Sequence, residues 1–271
     1  MASILDVIFA RPVSVRVYGL GAVALGVTGL FWGDFAVAWQ PDSIAPGGSA
    51  MGYAVPIAPL LAGLAMQWKR AVRQSAIALV ILYAVAEIFL DVPRGVAHAS
   101  AFIYWYGVFE NLALAAGGVI IYAHCARLEP ATAERLCKIT RIVFGVCLIY
   151  FGLAHHLYLA NTASMVPAWL PPGQTFWAYA TAAGHVAAGI ALLSGIYART
   201  AAMLLTAMFV VFTILVHAPR VIMDPHTHMN WAENDVNFAL IGCACVIAAS
   251  LPARKYKNWD SGKRNVREDL A

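Results

Sequence analysis

The side chains that could do chemistry in this 271-residue chain are unevenly placed: six of its eight histidines, His155, His156, His185, His217, His226 and His228, lie in the second half. His155 and His156 fall near the end of one apolar stretch and His217 near the end of another, while Glu233 and Asp235 open a third. His185 sits about ten residues into a fourth stretch, roughly 15 Å from its boundary at the helical rise. Ionisable groups at such depth in lipid must face a bundle interior. Imidazoles and a carboxylate converging from four helices suit a divalent transition metal, which makes His155, His156, His185, His217 and Glu233 candidate ligands. The same groups suit a haem, a proton relay or a quinone head group, with His185 and Glu233 exchanging protons as the catalytic pair. Structural hydrogen bonding between helices is the third reading. His155 and His156 differ by about 100° around a helix, so both cannot face one point equally.

Carboxylates and arginines form a second pattern. Glu110-Asn111 and Glu233-Asn234 stand 123 residues apart (233 − 110), each just inside a helix that follows an outer loop headed by Pro93-Arg94 or Pro219-Arg220. A carboxylate there is favoured by the helix dipole as a cap. The alternative is an ion pair with Arg94 or Arg220 at a pocket rim, where Arg220 would orient an anionic group and Glu110 would also contact the substrate. Glu87 and Asp91 form a separate acidic pair, one turn apart. The stretch 161–177 is rich in proline and tryptophan, and Trp169 and Trp177 suit the bilayer interface. It reads either as a surface-lying cap on the bundle or as a lid past which a lipid-soluble substrate enters. His226 and His228 form a loop H-x-H pair. No phosphate-binding loop, dinucleotide fingerprint or nucleophile elbow is present.

These groups are positioned by elements that cannot be those of a water-soluble domain. Apolar residues make up 61% of the chain and charged ones 12%, about half the charge a soluble surface carries. Apolar stretches over 15–36, 51–67, 72–90, 100–124, 139–160, 175–195, 198–217 and 231–251 each approach the ~20 residues that span a bilayer. The expected fold is an all-α membrane protein of about eight transmembrane helices. Of the 18 Lys and Arg residues, all but Arg94 and Arg220 then lie on the side of the N-terminus. The positive-inside rule makes that side cytoplasmic for both termini and accounts for the net charge of +4 without a nucleic-acid partner. Cys125, Cys137, Cys147, Cys243 and Cys245 fall in the same half, where disulfides are not expected. The Glu-Asn spacing predicts two tandem four-helix bundles of the same orientation: 1–124, a cytoplasmic linker over 125–138, a second repeat over 139–251, and a basic cytoplasmic tail over 252–271.

The second half, over about 139–250, resembles the DoxX-like family of small four-helix membrane proteins. The likeness is carried by Arg141-Ile142-Val143-Phe144-Gly145, Phe151-Gly152-Leu153-Ala154-His155-His156, Val166-Pro167-Ala168-Trp169-Leu170-Pro171-Pro172-Gly173, Phe176-Trp177-Ala178-Tyr179, Gly184-His185 and Ala188-Gly189. The first half reads as a diverged copy. Relatives in that family include a subunit of a thiosulfate:quinone oxidoreductase and partners of oxidative-stress enzymes. The resemblance implies a cell (inner) membrane protein associated with redox chemistry. Its pocket would bind a metal, haem or quinone-like molecule, and the chain would be a membrane oxidoreductase or a subunit of one. The alternative is a non-catalytic membrane subunit or assembly partner of a redox complex.

Overall fold

The computed structural model describes residues 9–33 and 49–252; the basic tail lies almost wholly outside them. Among the described residues, seven helices are long and apolar enough to cross a membrane: α1 (Arg11–Trp32), α3 (Val72–Ala97), α4 (Phe102–Cys125), α5 (Pro130–Leu157), α7 (Gln174–Ser194), α8 (Ala198–Met223) and α9 (His228–Ser250). The shorter apolar α2 (Ser49–Ala65) lies between α1 and α3, and α6 (Leu159–Met165) is a two-turn helix after α5. Seven spans plus α2 agree with the expectation of about eight helices, and no strand occurs among the described residues.

One boundary differs from the expectation. The stretch 125–138 is not a loop: α5 begins at Pro130, so only residues 126–129 connect the two halves. The local reason is chemical. Glu129 accepts hydrogen bonds from the backbone N–H groups of Ala131 (3.2 Å) and Thr132 (3.0 Å), and Pro130, which has no N–H, occupies the first helical position.

Neighbouring helices close into a ring. α1 packs on α2, α2 on α3, α3 on α4 and α4 on α5; then α5 packs on α7, α7 on α8, α8 on α9, and α9 returns to α1. α4 and α9 also touch across the middle. They are the most enclosed helices, with 61% and 78% of their apolar windows buried, against 28% and 22% for the peripheral α3 and α8. The halves therefore interlock: the last helix of each packs on the first helix of the other. Tyr18 of α1 donates to the Leu114 carbonyl of α4 (2.8 Å), and Thr28 of α1 bonds the Asp235 carboxylate of α9.

Structural features recur at a spacing of 126 residues, not 123. A π-helical turn interrupts α3 at Glu87–Asp91 and α8 at Thr213–His217. The cause is the proline shortly after each, Pro93 and Pro219 (219 − 93 = 126), which removes a backbone donor and crowds the preceding turn. Glycine contacts repeat at the same interval. A Cβ on Gly63 would lie 2.4 Å from the Gly19 carbonyl oxygen, and one on Gly189 would lie 2.7 Å from that of Gly145. Only glycine permits so close an approach of α1 to α2 and of α5 to α7. In this register Glu110 falls opposite Val236, so Glu110 and Glu233 are not equivalent positions.

Candidate functional site

At the end of the bundle where α5 and α8 finish and α7 and α9 begin, a cavity of about 410 Å³ opens between α4, α5, α6, α7, α8 and α9. That volume is in the range of small-molecule sites. Aromatic rings shape its interior: Phe151 and Phe209 are buried, and Phe212 and Tyr106 stand beside them. Its polar groups are few and belong to different helices.

His155 and His185 form its floor. Their rings meet edge to face with centroids 4.8 Å apart, and His185 also packs against Phe209 (5.6 Å) and Phe212 (6.1 Å). His185, only 2% exposed, donates from Nδ1 to the Thr181 carbonyl (2.9 Å). A carbonyl can only accept, so in the neutral ring the proton sits on Nδ1 and Nε2 presents a lone pair. His155 Nδ1 lies 3.4 Å from the Thr181 hydroxyl.

The opposite wall is acidic. Glu110 is buried, and its Oε2 has no hydrogen-bond partner. It is within electrostatic reach of Glu233 and Asp91. Glu233 is held by Arg220, with Nη1 to Oε2 at 3.2 Å. His217 also lines the cavity, and its Nδ1 is buried without a partner.

Of the residues expected to form the site, His155, His185, His217, Glu233 and Glu110 are brought together. His156 is not. It is exposed on the outside of α5 against Tyr179 (ring centroids 5.9 Å), because one residue step turns it away from its neighbour. Arg220 contributes through Glu233 and does not line the cavity. Trp169 is 71% exposed, and Trp177 donates from Nε1 to the Pro171 carbonyl (2.9 Å); neither reaches the interior. Of the loop pair, His226 is exposed, while the His228 ring packs on Trp32 (5.3 Å).

The capping role considered for the two glutamates is not met. α4 and α9 have no side-chain cap bond; Glu233 serves Arg220, and Arg94 is taken by Asp91 (3.6 Å). Among the described residues no group of three or more His, Cys, Asp or Glu side chains is placed to hold a metal ion. The five-residue ligand set therefore does not assemble: His156 lies outside the cavity and Glu233 is engaged by Arg220.

Sequence reasoning missed Tyr106, Thr181 and Asn237. Tyr106 comes from the first half and reaches the site only because α4 packs on α5, a relation no local pattern carries. Asn237 had a signal, since it stands 126 residues after Asn111 (237 − 111). The short helix α6 closes one side with Asn161, Thr162 and Met165. It is tied down by Gln174, which donates to the Val166 carbonyl (2.6 Å).

Residues 136–218 match the DoxX family model. The DoxX domain runs from the early turns of α5 through α7 and into α8. It carries His155, His185 and His217, while Tyr106, Glu110, Glu233 and Asn237 come from α4 and α9 outside it. No curated protein and no solved structure matches the chain. The chain is a multi-pass membrane protein with a DoxX domain in its second half.

Proposed function

We propose that the protein binds a lipid-soluble quinone-class molecule in the cavity between its halves and serves membrane redox chemistry from the non-cytoplasmic face of the inner membrane. The observation that carries this reading is the juxtaposition of His155 and His185 with Glu110 in an aromatic-walled chamber inside the spans. Planar rings accommodate an aromatic head group, and imidazole and carboxyl groups exchange protons with its oxygens. The side assignment rests on the Lys and Arg asymmetry of the sequence.

A bound quinone-class head group would supply two-electron redox chemistry coupled to protons. The protein's own part is narrower. His155 and His185 present ring nitrogens at the floor, Glu110 offers one buried carboxyl oxygen without a hydrogen-bond partner, and Arg220 fixes the orientation of Glu233. α6 separates the chamber from the surroundings, and the apolar lining between α5 and α8 suits an isoprenoid-substituted ring arriving from lipid.

A photoactivatable azidoquinone tests this in detergent-solubilised protein. Labelling is expected on peptides from α6, α8 and the end of α5, and is expected to be suppressed by unlabelled quinone. Label confined to lipid-facing positions such as Ile190 or Leu204, unaffected by competitor, would contradict the reading.

A further inference from the structure

Five polar side chains of the cavity, His155, His185, Thr181, Thr162 and Asn237, have committed their hydrogens to the protein itself; His217 on α8, whose Nδ1 is buried without a partner, is not among them. The Thr181 hydroxyl donates to the Ala178 carbonyl (3.1 Å), so it meets the Nδ1–H of His155 with a lone pair. His185 donates from Nδ1 to the Thr181 carbonyl. Each neutral ring then keeps only a lone pair, on Nε2. Asn237 donates from its amide nitrogen to the Phe209 carbonyl (2.9 Å) and to the Thr213 hydroxyl oxygen (2.7 Å). That uses both amide hydrogens and leaves the carbonyl oxygen as its remaining group. Thr162 donates back to carbonyls of its own segment, Tyr158 (3.2 Å) and His155 (3.4 Å). Glu110 adds a buried, unpartnered carboxyl oxygen. Tyr158 and Asn161, which keep donors, are exposed at the mouth.

The chamber thus presents hydrogen-bond acceptors on α5, α7 and α9. We infer that the site selects a hydrogen-bond-donating ligand: the reduced, two-hydroxyl quinol form, in preference to the quinone, whose ring oxygens only accept. This rests on the quinone-class reading of the cavity and sharpens it to one oxidation state. Two hydroxyls can each meet an imidazole Nε2, the Asn237 oxygen or Glu110. A quinone would set carbonyl lone pairs against them, and sites built to pair a hydroxyl reject analogues that lack one.

The test is calorimetric titration of the purified protein, under anaerobic conditions, with three probes of one ring: a short-tailed benzoquinol, its quinone, and the quinol's dimethyl ether. The quinol is expected to bind about tenfold or more tighter than both others, and the preference is expected to shrink in His185→Phe, which keeps a ring and removes the lone pair. Equal affinity for the quinol and the ether overturns the selectivity while leaving quinone-class binding in place. Failure of all three to bind overturns the quinone-class reading and the selectivity with it. Tighter binding of the quinone overturns the selectivity alone.

Discussion

Glu233 of α9 reaches back to Arg220 of α8 at 3.2 Å, whereas the arginine 126 positions earlier, Arg94, takes its carboxylate from Asp91 on its own helix at 3.6 Å. The position matching Glu233 in the first half is Gly107, where a Cβ would lie 2.2 Å from Asp91 Oδ1. The position matching Asp91 in the second half is His217. The carboxylate has changed helices between the halves, and the place it left on α8 is an imidazole lining the cavity. That exchange puts the imidazole of His217 into the cavity lining where the first half has a carboxylate.

Restoring the first-half arrangement is expected to rescue the arginine. Glu233→Gly removes the partner of Arg220 and introduces a flexible residue into α9. That substitution is expected to destabilise the protein by on the order of 1–2 kcal/mol, most of it from glycine in the helix, because the partly exposed pair contributes little. Adding His217→Asp should recover part of the loss in a double-mutant cycle read by thermal melting. Strict additivity of the two changes would argue against the exchange.

The glycine crossing between α5 and α7 positions His155 against His185, and it tolerates no side chain. Gly189→Ala places a methyl group 2.7 Å from a backbone oxygen that cannot step aside. A loss of about 1–3 kcal/mol is expected, as for overpacked cores. Gly184→Ala is the control, because its nearest neighbour is the flexible Met208 side chain at 3.1 Å. Melting curves should separate the two, and equal melting temperatures would refute the rigid crossing.

At the start of α5, the backbone N–H groups of Ala131 and Thr132 hold the Glu129 carboxyl below its ordinary range. A group whose folded value is depressed stabilises above its unfolded value, and that contribution disappears as pH falls through the folded value. Wild type should therefore melt above Glu129→Gln at neutral pH, and the gap should close in acid below the usual carboxylate range. A gap that widened on acidification would contradict the cap.

The spans were legible because hydropathy and charge asymmetry are properties of composition that packing does not override. The gathering of His155, His185, His217 and Glu233 was legible for a related reason: polar groups in apolar helices have to face inward. The register was not. Glu110-Asn111 and Glu233-Asn234 are identical pairs, so matching by residue type gave 123, while the prolines, π-turns and glycine contacts recur at 126. The start of α5 was hidden by the charges of 127–138, although Glu129-Pro130 is itself a helix-start signal. Tyr106 could not be foreseen, because it enters the site only through the packing of α4 on α5.

The most direct test of the central claim is to extract purified protein with organic solvent and identify what it carried by mass spectrometry. The account predicts a stoichiometric quinone-class molecule with wild type and its loss, with the fold retained by circular dichroism, in His185→Ala. Wild type without such a molecule, and unable to take one up when it is added, would contradict the account. So would a His185→Ala protein that carries as much as wild type.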